Sequence, residues 1–210
     1  MARRQGGGSS MTATMEDRPV AAVRHGELRA WVEQLDVPEG YRTEIIRGTI
    51  VMSPTPSVKH AAVVRRLYDQ LAPQLPETVV ALQVVSVAAP DSDDDYCWPD
   101  LAVLPVAVEE EDDWLVPADT VELVVEVVSP SNATSDTVVK PGEYARWSIP
   151  MYLVIDPRNG TMRLHWDPAP DGHRTRRDIA FGETLALQGT LKDVEIDTSD
   201  FPRYEKGRGR

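Results

Sequence analysis

Apolar and polar positions along the chain keep two rhythms, one of period two and one of period 3.6. "EIIRGTIVMSP", Glu44 to Pro54, sets apolar runs on either side of Arg47-Gly48 and predicts a β-hairpin. Ser57 then stands as an N-cap ahead of Val64, Leu67, Tyr68, Leu71 and Leu75. Their spacing predicts a helix lying on a sheet, which Pro73 ends before Leu75. "TVVALQVVSVAA" (Thr78 to Ala89), "WPDLAVLP" (Trp98 to Pro105) and "VELVVEVVSP" (Val121 to Pro130) predict three core strands. The last two hold near-continuous apolar runs, the pattern of strands covered on both faces. A short helix follows, ending in Tyr144, Ala145 and Trp147, and Pro141 requires it either to begin near Lys140 or to break there. "MYLVID" is a further strand, Asn159-Gly160 favours a tight turn, "MRLHW" returns from it, and Thr175 to Leu187 adds edge strands.

This order predicts one α/β domain over residues 26–200: a central mixed β-sheet flanked by helices, with β-hairpin additions. Residues 1–25 read as a disordered Gly- and Ser-containing leader without the apolar core of a secretory signal. Residues 201–210 read as a basic, mobile tail. No internal repeat interrupts the pattern.

Composition changes this picture only locally. No apolar run is long enough to span a bilayer, so no membrane partner is expected. The single cysteine, Cys97, rules out an intrachain disulfide and a multi-cysteine metal site. It reads as a small strand residue and fits a reducing, cytoplasmic setting. Of the net charge of −12, all comes from one zone: Asp91 to Glu126 holds 13 acidic residues and no Lys or Arg, leaving 21 acidic against 22 basic residues elsewhere. The aspartates at 91, 93, 94 and 95 read as solvated loop charges, and Glu109 to Asp113 as a solvated loop.

Two carboxylates do not fit that solvated description. Asp100 follows Trp98-Pro99 in the second core strand, and Glu126 interrupts "LVVEVV" in the third. Burying a carboxylate among apolar side chains is costly unless a cation, a Lys or Arg, or hydrogen-bond donors compensate it. Two of them on neighbouring strands suggest a shared hard cation, Mg²⁺ or Mn²⁺; strand-end positions with simple solvation or salt bridges are the other reading. Competing chemistries lack their signatures. His25, His60, His165 and His173 show no paired zinc spacing, "GGGSS" lacks the end of a phosphate loop, and no Gly-x-Ser-x-Gly elbow occurs.

The string from "EIIRGTIVMSP" through "WPDLAVLP" to "VVEVVSPSNATSDTVVKPGEYARWSIPMYLVIDP" resembles the Uma-two family of bacterial proteins, a branch of the PD-(D/E)xK restriction-endonuclease-like nucleases. The resemblance covers roughly residues 40 to 160 and keeps the family's order of elements. It implies that Asp100 and Glu126 are metal ligands, joined by the backbone carbonyl of Val127. The motif lysine is absent from its usual place, which holds Val128; in this branch its role falls to Lys140, four residues after Asp136 and four before Tyr144. Pro141, directly after it, departs from the family pattern. Glu44 and His60 also match family positions. On the residues alone, Glu44 reads first as a surface hairpin glutamate and second as an extra ligand or water-orienting group, and His60 as a cap or packing residue rather than a base. Asp136 and Tyr144 read first as helix packing and pairing beside Lys140.

Two functions follow as expectations. One is a Mg²⁺- or Mn²⁺-dependent endonuclease, hydrolysing phosphodiester bonds in DNA with Asp100, Glu126 and Lys140 as catalytic residues. The other is a noncatalytic module of the same fold that binds nucleic acid or a protein. The basic footprint for a phosphate-rich partner is limited to Arg65, Arg66, Arg146, Arg158, Arg163, "HRTRR" at His173 to Arg177 and the tail; a homodimer would pool two such faces.

Overall fold

Successive side chains along 101–105 and 123–127 enter two different cores. Leu101, Val103, Leu123, Val125 and Val127 belong to one, while Ala102, Leu104, Val124 and Val128 belong to the other. That alternation is the origin of the unbroken apolar runs in the sequence, since both faces of these strands are covered.

A computed structural model describes residues 26–110 and 112–205. The expected leader, 1–25, and residues 206–210 of the expected tail lie outside the described residues. In chain order the elements are α1 (Glu27–Val32), β1 (Tyr41–Ile46), β2 (Thr49–Pro54), α2 (Val58–Leu71), β3 (Val79–Leu82), β4 (Ser86–Ala88), β5 (Tyr96–Cys97) and β6 (Leu101–Pro105). They continue with β7 (Leu115–Pro117), β8 (Leu123–Val127), α3 (Lys140–Arg146), β9 (Met151–Asp156), β10 (Thr161–Ala169), β11 (Gly172–Ala180), β12 (Thr184–Ala186) and β13 (Glu195–Asp197).

A six-stranded mixed sheet runs β11-β10-β9-β8-β6-β3, with β8 and β9 parallel. One face packs on α2, on the small β12–β13 sheet and on Phe201; the other packs on α3 and on a five-stranded sheet of order β2-β1-β5-β4-β7. Among the described residues no helix is long and apolar enough to cross a membrane.

Local chemistry explains most of these elements. Arg47 and Gly48 both take positive φ, 53° and 68°, and close β1 onto β2 through the two-residue turn that suits the twist of a hairpin. The Ser57 hydroxyl accepts the His60 N–H at 3.3 Å and starts α2, which buries Val63, Val64, Leu67 and Leu71. The turn after β9 takes four residues, Pro157 to Gly160, because the Asp156 carboxylate gathers Arg158 N–H (3.0 Å), the Arg158 guanidinium (2.9 and 2.8 Å) and the Asn159 amide (2.8 Å).

Two expectations are corrected. Thr78 to Ala89 is two strands, not one: Val84 sits at φ 64°, where a β-branched residue rarely goes, and the chain steps there from the six-stranded to the five-stranded sheet. Its antiparallel neighbour steps across at the same place, through Trp98-Pro99-Asp100 between β5 and β6. The aspartates of the acidic run also differ from their expected role. Asp94 and Asp95 are buried; Asp94 accepts the Arg29 N–H of α1 at 2.9 Å, and Asp95 accepts the Arg47 and Gly48 N–H groups at 3.0 and 2.8 Å. They hold backbone, because a carboxylate is the cheapest partner for turn N–H groups that no strand can satisfy.

Beyond β13 the described chain stays attached. Phe201 is buried in the core, the Tyr204 N–H donates to the Pro157 carbonyl at 3.0 Å, and Glu205 pairs with Lys59 at 3.0 Å.

Candidate active site

Asp100 lies where the chain passes between the two sheets, one residue before β6. The β6–β8 register pairs Leu101 with Val125, and one further step sets Asp100 opposite Glu126. Opposite residues of an antiparallel pair point to the same face, here the face toward α3. The Asp100 N–H donates to the Val125 carbonyl at 3.1 Å, and its Oδ2 accepts the Val127 N–H at 2.8 Å.

Ser135–Val139 form a π-helical turn that runs straight into α3. Pro141 has no N–H to give an α-helical turn, and the widened turn ahead of it absorbs that loss without breaking the helix. The alternatives posed by the sequence are thereby resolved: α3 begins at Lys140, yet helical structure precedes it. Lys140, 1% exposed, turns inward. Its Nζ donates to Glu44 Oε1 and to Glu126 Oε1, each at 2.7 Å, and lies 3.8 Å from Asp136 Oδ1. Tyr144, one turn later, donates its hydroxyl to the same Glu126 Oε1 at 3.0 Å.

Glu44 is buried, contrary to the surface position its hairpin suggested. Its Oε1 also accepts the Trp98 N–H at 2.7 Å, which ties β1 to the chain crossing. His60 caps through its backbone, and its ring enters the site, with Nε2 3.0 Å from Asp100 Oδ1. Arg42 Nη2 approaches the same oxygen at 3.4 Å. The structure thus brings Glu44, His60, Asp100, Glu126, Asp136, Lys140 and Tyr144 together. Arg42 and Tyr204 are the members that the sequence reading missed. Arg42 stands two residues before Glu44 on β1, so it points to the same side; Tyr204 gives no sequence signal.

Burial dominates the electrostatics. It pushes the Glu126 carboxyl well up, with Lys140 opposing and Asp136, Asp100 and Glu44 adding to it. It pushes Asp136 up to about 7 in the same way. Burial acts against the Lys140 ammonium too, but Glu126 and Glu44 outweigh it and hold that pKa well above its ordinary value. For Asp100, burial is outweighed by His60, Arg42 and the Val127 N–H, so this carboxyl sits below the ordinary range.

A cavity of about 190 Å³ opens over these groups, with Arg42, His60, Asp100, Glu126, Asp136 and Tyr204 in its wall. A second, of about 340 Å³, shares Arg42, His60 and Asp100 with it and continues past Trp98, Tyr41 and Val84. Lys140 is in the wall of neither and lies behind Glu126. Among the described residues no three His, Cys, Asp or Glu side chains gather as a protein-only metal cage. The donor set nevertheless suits a hydrated divalent cation. Four carboxyl groups face one ammonium and one guanidinium, a formal excess of two negative charges when all four are ionised, and Mg²⁺ uses one or two carboxylates while keeping most of its waters.

The chain is a mixed α/β protein with two carboxylates facing each other where β6 and β8 meet. The fold matches a solved structure described as that of a putative nuclease belonging to DUF820 from Anabaena variabilis ATCC 29413. The TM-score is 0.64 at 17% identity, over 83% of this chain and 96% of that one. The chain belongs to the Uma2 family, described as "Putative restriction endonuclease", whose model matches residues 30–199. No curated protein matches the chain.

Proposed function

We propose that this chain is a divalent-metal-dependent endonuclease acting on DNA, with Asp100, Glu126 and the Val127 carbonyl holding Mg²⁺ or Mn²⁺. The carrying observation is the placement of Asp100 opposite Glu126 at the mouth of a cavity, with donors on both oxygens of Asp100 and on Oε1 alone of Glu126. When bound, the metal supplies an acidified water and polarises the scissile phosphate. Asp100 is kept ionised by its neighbours and ready as a ligand. Lys140 and Tyr144 fix Glu126 through Oε1 and leave Oε2 for the cation. In this reading Lys140 is a positioning and charge-balancing group that Glu44 holds from the opposite side. Direct contact with a phosphate would require it to leave two 2.7 Å bonds. Two cavities that meet at Asp100 suit a polymer laid across the site better than an enclosed small molecule. A homodimer would present two basic faces to one duplex, which light scattering with and without DNA tests.

The purified protein should nick or linearise plasmid with Mg²⁺ or Mn²⁺ and not with EDTA. Asp100→Ala and Glu126→Ala should each lower the rate about a hundredfold or more. Lys140→Ala should lose activity together with about 3–5 kcal/mol of stability, because Glu126 and Glu44 lose their counter-charge. A wild type that binds DNA without cleaving it, or mutants that cleave equally, would make this a noncatalytic binding module.

A further inference from the structure

Buried polar atoms almost always find partners. Among the described residues, seven buried side-chain nitrogens and oxygens have none, and four of those seven belong to three residues of one cavity wall: Arg42 Nε, His60 Nδ1, His60 Nε2 and Tyr204 Oη. They come from β1, the first turn of α2 and the segment after β13, so no single local irregularity accounts for them. Asp100 absorbs them only in part. It accepts from Val127, takes Arg42 through Nη2 instead of Nε, and meets His60 Nε2 at 3.0 Å, which leaves Arg42 Nε and His60 Nδ1 without it. The Tyr204 hydroxyl has the Ser57 side chain as a polar neighbour across the same cavity wall.

Groups that can donate and belong to the wall of one polar cavity fit a ligand that is all acceptor. We propose that Arg42, His60 and Tyr204 form a cradle for a phosphoryl group, which, on the nuclease reading above, is the scissile phosphate. With Lys140 behind Glu126, the cradle supplies the positive and donating side of the cleft. Arg42 contributes charge and a fixed N–H, the imidazole a ring nitrogen, and Tyr204 a neutral O–H. Burial pushes the Tyr204 phenol up to about 12, so it keeps its proton and donates at physiological pH. Asp100, Glu126 and Asp136 border the same space and repel an anion, so a divalent cation should strengthen phosphate binding.

Tyr204→Phe removes one hydroxyl and no packing. Wild-type protein and Y204F should be titrated with inorganic phosphate, with and without Mg²⁺, reading melting temperature and calorimetric affinity. Wild type should bind phosphate more tightly with Mg²⁺. Y204F alone should melt within a few degrees of wild type, because only one hydroxyl is removed, and should bind phosphate about tenfold more weakly. Equal phosphate affinity in Y204F and wild type, or no phosphate binding in either arm, overturns the cradle even if plasmid cleavage is normal. Phosphate binding that depends on Tyr204 but is indifferent to Mg²⁺ keeps the cradle and counts against the metal site.

Discussion

Asp136 shares Lys140 with Glu126 and Glu44, and that crowding determines how the protein should respond to pH. An acid whose pKa rises from 3.8 to about 7 on folding binds a proton in the folded state that the unfolded chain has already released. Its contribution to stability is therefore complete below about 4 and is lost as pH rises through 7. Glu126, also raised, acts in the same direction, whereas Asp100, held low, weakens the fold only under stronger acid. The metal-free protein should accordingly melt at lower temperature at pH 8 than at pH 5, and Asp136→Asn should flatten that slope. Mg²⁺ should stabilise wild type more at pH 8 than at pH 5, because ligands must be deprotonated to bind. A melting temperature that rises monotonically from pH 5 to 8 without metal would contradict the arrangement.

The hairpin of β1 and β2 reaches the site through partners far along the chain. Asp95 holds both N–H groups of its turn, and Glu143 on α3 accepts Arg47 Nε at 2.6 Å and Arg146 Nη2 at 2.6 Å. Asp95→Ala leaves two turn donors unpaired and should cost about 1–3 kcal/mol in denaturant unfolding. Cleavage should fall with it, since the hairpin carries Arg42 and Glu44; full activity at unchanged stability would show that the turn holds itself. The hairpin, α2, β6, β8 and the β9–β10 pair were legible in the sequence because their rhythms are local. Asp100 and Glu126 were legible because a charge inside an apolar run is anomalous by itself. The break at Val84, the buried roles of Asp94 and Asp95, the burial of Glu44 and the arrival of Tyr204 were not. Each depends on where a second sheet or a distant segment packs: Lys140 and Glu44, for example, are 96 residues apart. Pro141 marked the start of α3 at Lys140 but not the π-helical turn ahead of it, which has no distinct pattern of its own.

The charge of the whole molecule divides by depth. Asp94, Asp95, Asp100 and Glu126 of the acidic zone are buried and employed, whereas Glu109, Glu110, Asp112 and Asp113 are exposed. On the far edge of the six-stranded sheet, β11 exposes Arg174, Arg176 and Arg177, which guard an open strand against edge pairing and offer a basic surface. Replacing these three arginines by alanine should weaken DNA binding and reduce the slope of log affinity against log salt by up to about 3. An unchanged slope would place the footprint elsewhere. The cleft itself takes residues from Arg42 to Tyr204, nearly the full span of the matched family region and beyond it. A polypeptide emerging from the ribosome therefore has no complete cleft until Tyr204 has been made and has docked against Pro157. On the nuclease reading, a copy that stops short of Tyr204 carries Asp100, Glu126 and Lys140 but lacks one wall of their cleft.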